Sequence, residues 1–524
     1  MTVETADVVV IGSGFGGAIP AYYCAAAGAG VVILERGPHL AAAQFVHDLR
    51  VGTYTRTLDV IHGTGITVLA GNCVGGSSVI YFAASLRAPS FVFERRGSVG
   101  HRLWPAGLTR AALDPWYDRA EAALPVAQQG WSDISFAGGV FAAACANAGR
   151  TCNPVPVAVE LGECTDCNWM LSGCRFDAKR SMLLNYLPGA TAHGAAIRPL
   201  HEVQTLSPAL TPGYRYRVSY TVLDAGDYRV PVGAGCIEAK AVVLAAGAVG
   251  TPVILQRSAL LLGGVPPAVG RNFSGNGDRV STAVMDEAKV GSVLGLSRAP
   301  GVAYDAAPIG KPITAMSFDR LDPAQPEFSR FSLQQIYFPS ATNLLGAAPG
   351  WYGLAKKQMR ARWRSWVTVL AMTEDDNEGV FGPPPPTGSF TRLVSSAGQG
   401  TMCYAPTART RQGWAAADAE LKAVLERDGL AVVRPWHEDP AGNVTAHPLG
   451  SCRLGDDPGS SALDSRHELR GHPGIFVTDG AAVPSSLCVN PSLTIAALAE
   501  RASGFVLDHL AASGVPVLPG APPP

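Results

Sequence analysis

Residues 8–17 read Val-Val-Val-Ile-Gly-Ser-Gly-Phe-Gly-Gly, and this stretch decides the fold of the chain. Its four leading apolar residues predict a buried strand. The strand breaks at the glycine-rich turn, and a helix of small residues is expected to follow it as far as Ala29. A second apolar strand is predicted at residues 31–35 and closes on Glu35. The order strand, turn, helix, strand and acid is typical of the start of a dinucleotide-binding fold.

Three glycines of this turn have distinct structural roles in such a site. Gly12 permits the tight turn, Gly14 lets backbone approach a pyrophosphate, and Gly17 allows the helix to pack closely on the strand. The helix N-terminus offers N–H groups and a positive dipole end to phosphates. Glu35 is placed to accept hydrogen bonds from ribose hydroxyls. The alternative interpretation is an ordinary glycine-rich turn.

The composition is that of a large globular protein. A length of 524 residues suggests about two to four domains. Hydrophobic residues make up 47% and charged residues 16%, which is enough for sizeable buried cores. A net charge of -1 gives no electrostatic basis for binding nucleic acid or an anionic membrane. The 11 scattered cysteines argue against a disulfide framework. With neither a bilayer-length apolar run nor a visible secretory signal, a cytoplasmic location is expected.

The remaining elements follow from apolar periodicity. It predicts a helix at residues 108–124, one that starts after Gly247 and ends near Ser258, one at residues 416–427, and one that starts after Pro491 and ends at His509. It predicts strands at residues 214–223, 241–245, 313–318, 331–338 and 366–372. The expected fold is a doubly wound α/β cofactor domain of the Rossmann type, assembled from discontinuous segments, with a second domain built on a mainly antiparallel sheet and covering helices. We assign residues 1–98, 175–284 and 431–524 to the cofactor domain and residues 99–174 and 285–430 to the substrate domain.

Three further motifs carry candidate chemistry. The loop at residues 71–78 contains three glycines and two serines, so its backbone can pass close to a flat ligand, although a generic turn has the same composition. His447 precedes a proline and is therefore held in an extended segment. Asn490 also precedes a proline, just before a predicted helix. Read alone, the histidine is a structural donor and the asparagine a cap or turn residue.

Seven motifs, taken in order, resemble the glucose-methanol-choline (GMC) flavoprotein oxidoreductases, and within that family the cholesterol oxidase branch. They are residues 12–17 with Glu35, 71–78, 243–252, 270–278, 447–455, 479–480 and 490–495. The resemblance implies FAD as cofactor and oxidation of an alcohol to a carbonyl by hydride transfer to flavin N5. It also implies non-covalent FAD, because some relatives attach the flavin to a histidine near the position of Asn72 and no histidine stands there.

Residue roles follow from the same resemblance. His447 matches the active-site histidine, whose neutral imidazole takes the hydroxyl proton. Asn490 matches a second polar residue that holds the substrate oxygen. Contacts with FAD are implied for Gly12, Gly14, Phe15, Gly16, Gly17, Glu35, Arg36, Gly71, Asn72, Val74, Gly75, Gly76, Ser77, Ser78, Val203, Ala246, Gly247, Asp479, Gly480, Pro491 and Thr494. The helix that starts after Pro491 would direct its N-terminus at the flavin's pyrimidine end.

Three further segments are candidates for a functional role. Cholesterol-oxidising relatives use a glutamate of the substrate domain, whereas Glu374 here lies in an acidic run that looks like a turn. The run Cys164, Cys167 and Cys174 suggests a metal site, but with no fourth ligand nearby we favour thiols packed near the flavin edge and predict no metal. The basic run at residues 356–364 could touch a membrane, and we favour a solvated helix face.

The predicted function is oxidation of a hydroxyl group, expected to be secondary, on a bulky apolar molecule such as a sterol, a terpenoid or a polyketide-like product. O₂ or another electron acceptor would reoxidise the cofactor. The first alternative is a lyase or isomerase on the same scaffold, in which His447 does acid–base chemistry without net redox. The second is a cofactor-binding protein without catalysis.

Overall fold

The computed structural model describes residues 4–47, 56–97, 100–228, 230–296, 310–337, 366–382, 402–436, 442–518, 522 and 524. The α-helices in these ranges are α1 Phe15–Ala26, α2 Arg110–Ala123, α3 Phe136–Asn147, α4 Tyr186–Ala192, α5 Gly247–Ser258, α6 Glu287–Leu294, α7 Ala408–Leu425 and α8 Ser492–Ala512. Within the described ranges, none of the helices has the length and apolar character needed to span a bilayer.

The strands of the described residues are short and numerous. They are β1 Glu4–Ile11, β2 Val31–Leu34, β3 Leu58–His62, β4 Gly65–Gly71, β5 Ala127–Gln128, β6 Asn153–Pro154, β7 Pro156–Val157, β8 Ala196–Arg198, β9 His201–Pro208, β10 Tyr216–Leu223, β11 Pro231–Leu244, β12 Arg271–Ser274, β13 Asp278–Met285, β14 Ile313–Ser317, β15 Phe331–Ile336, β16 Trp366–Thr373, β17 Gly379–Phe381, β18 Met402–Cys403, β19 Ala431–Pro435, β20 Gly442–Thr445, β21 Leu449–Ser451 and β22 Ile475–Val477.

The cofactor sheet has seven strands in the order β8-β2-β1-β11-β10-β9, with β22 also pairing with β11. Strand β1 runs parallel to β2 and β11, and β22 runs parallel to β11, whereas β10 and β9 are antiparallel additions. The apolar residues of β1 and β2 are buried because α1 and α8 cover the sheet. Strands from the beginning, middle and end of the chain meet here, which confirms the discontinuous Rossmann-type assembly.

The bounds of several elements differ from those predicted. Strand β1 begins at Glu4 rather than Val8, and α1 ends at Ala26, because Gly28 adopts a left-handed conformation (φ +91°) that stops the helix. Strand β2 ends at Leu34, so Glu35 lies just beyond it. Helix α7 begins at Ala408, eight residues before the predicted start, because the Thr407 side chain caps it. Because the first turns of this helix are mostly polar, apolar periodicity does not reveal where the helix begins.

The substrate sheet has six strands in the order β19-β13-β16-β15-β14-β6, all antiparallel to their neighbours. One face packs against α3 and α7 through apolar side chains such as Leu333 and Ala371. The opposite face, which includes Leu370 and Met372, belongs to the same buried cluster as the apolar residues of β1 and β11. The predicted antiparallel sheet is therefore confirmed. The basic run at residues 356–364 lies outside the described residues.

Two small strand pairings join the sheets and fix the site. Strand β20 runs parallel to β4, which leads directly into the loop at residues 71–78. Strand β21 runs antiparallel to β12, with Leu449 opposite Ser274. His447 lies between β20 and β21, and β13 begins four residues after Ser274. These pairings therefore place His447 beside both the loop and the start of β13.

Candidate active site

The first glycine-rich turn contacts three other segments that are predicted to hold the cofactor. Gly12 has φ +94°, and a Cβ there would overlap the carbonyl of Ala245. A Cβ on Gly16 would lie 2.6 Å from the carbonyl oxygen of Thr478, and one on Gly76 would lie 2.9 Å from the Cα of Gly14. The loop at residues 71–78 and the segment after β22 thus each approach the first turn at distances that only glycine allows.

Glu35 ties the first turn to the second loop. Its Oε2 accepts hydrogen bonds from the Ser13 N–H (3.1 Å) and hydroxyl (2.7 Å), and its Oε1 accepts from the Gly37 N–H (2.9 Å). The Ser13 hydroxyl oxygen in turn accepts from the Gly75 N–H at 2.9 Å. Burial raises the pKa of Glu35, and these hydrogen bonds act in the opposite direction. Oε1 accepts a single hydrogen bond and therefore keeps a further lone pair for a ligand hydroxyl.

Asp479 joins the segment after β22 to the helix after β11. One carboxylate oxygen accepts from the Gly247 N–H and the Thr251 hydroxyl, both at 2.7 Å, and the other accepts from the Ala481 N–H at 2.8 Å. Burial raises the pKa of Asp479 to about 6, against the opposing effect of these donors. The side chain therefore fixes the relative position of two predicted cofactor segments.

The other predicted contacts differ in whether a neighbouring residue already holds the side chain. Asn72 is buried, and its Oδ1 has no hydrogen-bond partner among the described residues. The Thr494 hydroxyl is bonded to Tyr117 Oη (2.8 Å) at the start of α8, directly after Pro491, as the predicted helix start requires. Neighbouring residues already hold other side chains of the predicted set. These are Arg36 (paired with Asp59), Ser77 (to the Gly71 N–H), Ser78 (to the Gly75 carbonyl), and the buried Phe15, Val74 and Val203.

His447 and Asn490, predicted from segments far apart in sequence, lie together. The His447 Nε2 is 3.3 Å from the Asn490 Nδ2. The imidazole side chain is 14% exposed, and its Nδ1 lies 2.9 and 3.0 Å from the two carboxylate oxygens of Asp278, which is 2% exposed. The Asn490 Oδ1 is buried and has no partner among the residues that the structure describes.

Asp278 determines which imidazole nitrogen is available for chemistry. A carboxylate only accepts hydrogen bonds, so Nδ1 carries the proton of the neutral ring and Nε2 keeps a lone pair. Thr445 donates to the same carboxylate at 2.8 Å, and its oxygen accepts from the His447 N–H at 2.9 Å. The lone pair of His447 therefore faces the amide of Asn490, in the arrangement of a base beside a hydrogen-bond donor.

The segment that carries Asn490 is held by buried side chains from other elements. Asn276 accepts from the Leu487 N–H at 2.7 Å and donates to the Val489 carbonyl at 2.9 Å. Ser332 of β15 donates to the Cys488 carbonyl at 2.7 Å. The turn at residues 274–278 thus positions both candidate catalytic residues, one through Asn276 and the other through Asp278.

Sequence reasoning missed Asp278 and Asn276. Both lie in the motif at residues 270–278, which contributed to the family resemblance but received no role. The available signal was an aspartate directly after an Asn-Gly turn and at the start of a strand. Its partner lies 169 residues away, and no local pattern reveals that distance.

Glu374, which looks in the sequence like part of an acidic turn, lies in the connection between β16 and β17 and is buried there. Its side chain is 1% exposed and lies between Arg330 (2.9 Å) and Arg95 (3.7 Å). Arg95 also donates to the Ser486 hydroxyl (2.6 Å) in the segment that carries Asn490. The local run of acids does not reveal these cationic partners, because they come from distant segments. Glu374 therefore supports the site through its ion pairs.

The cysteine segment at residues 164–174 is joined through Lys179 to residues that follow the loop at residues 71–78. Burial raises the pKa of the Cys164 thiol to about 11, which disfavours the thiolate. Within the described part of the chain, no three His, Cys, Asp or Glu side chains converge as metal ligands would. The buried Lys179 ammonium donates to the carbonyls of Tyr81 (3.0 Å) and Met170 (2.7 Å), and so fastens this segment to the residues that follow the loop.

Comparison with known proteins adds a family to this geometry. A family model described as GMC oxidoreductase matches residues 6–276, and its C-terminal counterpart matches residues 402–499. A cholesterol oxidase of Mycobacterium tuberculosis is 27% identical over 550 residues, covering 95% of this chain and 90% of its own length. A long-chain-alcohol oxidase of Arabidopsis thaliana is 24% identical over 539 residues, covering 96% of this chain and 67% of its own length. A pyridoxine 4-oxidase from Mesorbium loti has the same fold, with a TM-score of 0.64 at 17% identity over 96% of this chain and 99% of that structure.

Proposed function

Because this chain belongs to the GMC oxidoreductase family, we propose that it oxidises a secondary hydroxyl group on a bulky apolar substrate, such as a sterol, a terpenoid or a polyketide-like molecule. The family makes the chain an FAD-dependent enzyme that acts on alcohols. The observation that carries the proposal is the His447–Asn490 pair, 3.3 Å apart, with Asp278 behind the imidazole. We also propose a cofactor domain of residues 1–98, 175–284 and 431–524 and a substrate domain of residues 99–174 and 285–430, with β13 and β19 of the first contributing two strands to the substrate sheet.

The described residues fit FAD. The close approach of Gly14 and Gly76 leaves a cradle of bare backbone at the N-terminus of α1, where a pyrophosphate can approach N–H groups. The buried Asn72 Oδ1 lacks a partner among the described residues and needs a donor from a ligand. When bound, FAD supplies the acceptor for the hydride that leaves the carbinol carbon. We propose that the FAD contacts predicted from the sequence hold it non-covalently.

His447 would act as the base. Its Nε2 lone pair points at the place where the Asn490 amide offers a donor, so a substrate hydroxyl placed there would give its proton to Nε2. Asp278 keeps Nδ1 protonated and stabilises the imidazolium that forms. As the O–H proton leaves, the carbinol C–H becomes a better hydride donor.

Asn490 would hold the substrate oxygen without titrating. Its Nδ2 can donate to the oxygen as negative charge develops there, and a fixed amide pays no reorganisation cost during the reaction. The bonds of Asn276 to the segment before Asn490 keep that amide in place. The N-terminus of α8, just beyond Pro491, adds a positive dipole end on the same side.

The apolar substrate class rests on two supports. The relatives are named for cholesterol and for long-chain alcohols, both large apolar molecules with one hydroxyl. The face of the substrate sheet that turns towards the cofactor domain carries Leu370, Met372 and Met316, which suit an apolar skeleton. The electron acceptor is O₂ or another oxidant, and comparing H₂O₂ release with dye reduction distinguishes the two.

Anaerobic mixing of the purified holoenzyme with a panel of hydroxylated sterols, terpenoids and long-chain alcohols tests the proposal. We expect at least one member to bleach the flavin absorbance, and His447→Ala to slow that bleaching by about 10²-fold or more while FAD stays bound. A matched control is His472→Ala, which removes an imidazole bonded to the Gly264 carbonyl far from the site. If His447→Ala bleaches as fast as the wild-type enzyme, the base has been assigned wrongly. Product formation without bleaching would instead support the redox-neutral alternative.

A further inference from the structure

One face of the substrate sheet is turned towards the candidate catalytic pair, and the strand register shows which side chains lie on that face. In β13, β16 and β15, Asp278 lies opposite Met372, and Met372 lies opposite Ser332. Residues directly opposite each other in an antiparallel pair share a face of the sheet. Asp278 binds His447 and Ser332 binds the Cys488 carbonyl, so this row of the sheet supports both halves of the pair.

The next row along the same face is apolar except at one position. It runs Val280, Leu370, Gln334 and Met316 across four strands. The alternate residues Leu333, Ala371 and their neighbours belong to the face that α3 and α7 cover. Gln334 is therefore the polar side chain of an otherwise apolar second row, on the side of the sheet where His447 and Asn490 lie.

The orientation of the Gln334 amide follows from its neighbours. The Ser332 hydroxyl proton is used at the Cys488 carbonyl, so the Ser332 oxygen can only accept from Gln334. The Gln334 Nε2 lies 3.4 Å from that oxygen and 3.9 Å from the Met372 sulfur, which is also an acceptor. The Oε1 is therefore turned away from both. It is fully buried and has no hydrogen-bond partner among the described residues.

We propose that Gln334 is a specificity-determining residue whose Oε1 accepts a hydrogen bond from a second donor on the substrate, a hydroxyl or an N–H remote from the hydroxyl that is oxidised. This proposal rests on the proposed function and narrows its substrate class from apolar alcohols to apolar molecules with two polar ends. A buried acceptor without a donor costs free energy, and a ligand that supplies the donor recovers it.

The spacing of the sheet gives the separation of the two groups. Two residues along a strand advance roughly 7 Å, and neighbouring strands lie roughly 4.8 Å apart. Gln334 is one row beyond Ser332 and two strands across from Asp278. The second donor therefore lies roughly 7 to 12 Å from the reacting hydroxyl. This is the scale of a fused-ring diol or a medium-chain diol.

Two matched pairs of alcohols test the proposal. The first is androstenediol, with hydroxyls at opposite ends of the steroid, and its analogue without the hydroxyl on the five-membered ring. The second is nonane-2,8-diol and nonan-2-ol, whose hydroxyls are secondary. Dissociation constants are measured from the change in the visible flavin spectrum of His447→Ala holoenzyme, in which oxidation is blocked, and kcat/KM is measured for the wild-type enzyme. We expect the matching diol to bind about ten-fold more tightly than its partner.

The variants separate recognition from structure. Gln334→Met keeps the size of the side chain and removes the acceptor, so the preference for the diol should fall to about one-fold while the monohydroxy alcohol binds as before. Gln335→Met is the matched control. Its Oε1 accepts from Thr314 (2.9 Å) on the opposite face, so it should lower the melting temperature and leave the diol preference intact.

The outcomes are distinct. The assignment is overturned if the diol preference is absent both from the kcat/KM values of the wild-type enzyme and from the dissociation constants of His447→Ala. It is also overturned if the preference survives Gln334→Met. A melting temperature that changes with Gln334→Met while all affinities stay constant shows that the Oε1 serves a buried water, and it also overturns the assignment. If diols bind with the expected preference but no alcohol bleaches the wild-type flavin, the proposed oxidation fails and the recognition by Gln334 stands.

Discussion

Replacing Asp278 with asparagine should disable the candidate base while leaving the fold intact. The carboxylate is 2% exposed and lies 2.9 Å from His447 Nδ1. Asparagine has nearly the same shape but can present its N–H group to the ring. Since a neutral imidazole has one N–H, a donor at Nδ1 moves the ring proton to Nε2. The nitrogen that faces Asn490 then has no lone pair to receive the hydroxyl proton.

The magnitude follows from two losses. The charge-assisted hydrogen bond between the carboxylate and the imidazole contributes about 1.5–3 kcal/mol, most of it as imidazolium forms, which is roughly 10- to 200-fold in rate. A general base contributes about 10²- to 10⁴-fold. The two overlap, because both depend on the same proton transfer. We therefore expect kcat for Asp278→Asn to fall by about 10²- to 10³-fold, with little change in KM.

The assay is single-turnover bleaching of the bound flavin by an alcohol that the wild-type enzyme oxidises. The ratio of flavin to protein and the melting temperature report FAD binding and folding, and both should stay close to the wild-type values. Arg279 lies on β13 next to Asp278, points to the opposite face of the sheet, and pairs with Asp418 of α7 (2.9 Å). The matched control is therefore Asp418→Asn, which removes that carboxylate. Bleaching by Asp278→Asn within about threefold of the wild-type rate, at full FAD occupancy, would refute the tautomer argument.

Three further outcomes are expected. Asn276→Gly keeps the left-handed backbone (φ +59°) but loses the bonds to Leu487 and Val489, so kcat should fall at least about ten-fold and denaturant unfolding should show a loss of roughly 1–3 kcal/mol. Gly16→Ala places a Cβ 2.6 Å from the Thr478 carbonyl, so the purified protein should contain less FAD, read from its flavin-to-protein absorbance ratio. Burial raises the pKa of Asp479 from 3.8 to about 6, so in the apoprotein the folded state binds a proton that the unfolded chain has released. The free energy of unfolding should therefore fall as the pH rises from about 4 to 6, by at most about 1.4 kcal/mol per pH unit, and Asp479→Asn should flatten that slope.

Local sequence patterns predicted several of the strands and helices. The strand and turn at residues 8–17 could be predicted because each step is encoded within a few residues: apolar strand, glycine at a positive φ, then a helix of small residues. The same is true of β16 and β15, whose apolar runs were recognised as strands. The pairing partners were not encoded locally, because Asp278 of β13 pairs with Met372 of β16, 94 positions away, and Val8 of β1 pairs with Ala241 of β11, 233 positions away.

The site divides in the same way. His447 and Asn490 could be named because prolines and a helix start mark their surroundings and a family resemblance gives them roles. Asp278 could not, because its function depends on a contact 169 residues away. Glu374 received no role for the same reason, since a buried carboxylate is recognised only when its arginine partners are in place. Charge in a sequence predicts solvent unless long-range pairing is known.

The register of β13 connects the packing of the core to the chemistry of the site. Ala283 and Met285 point into the cluster under α3 and α7, and because side chains alternate along a strand, Asp278 must point to the other face, towards His447. A slip of one residue would place Arg279 against the imidazole and send Asp278 towards Asp418. A cation there would oppose the imidazolium that the reaction requires. The apolar contacts of one face of β13 thus select the charge that the opposite face presents to His447, and that is why the identity of the base depends on the fold as a whole.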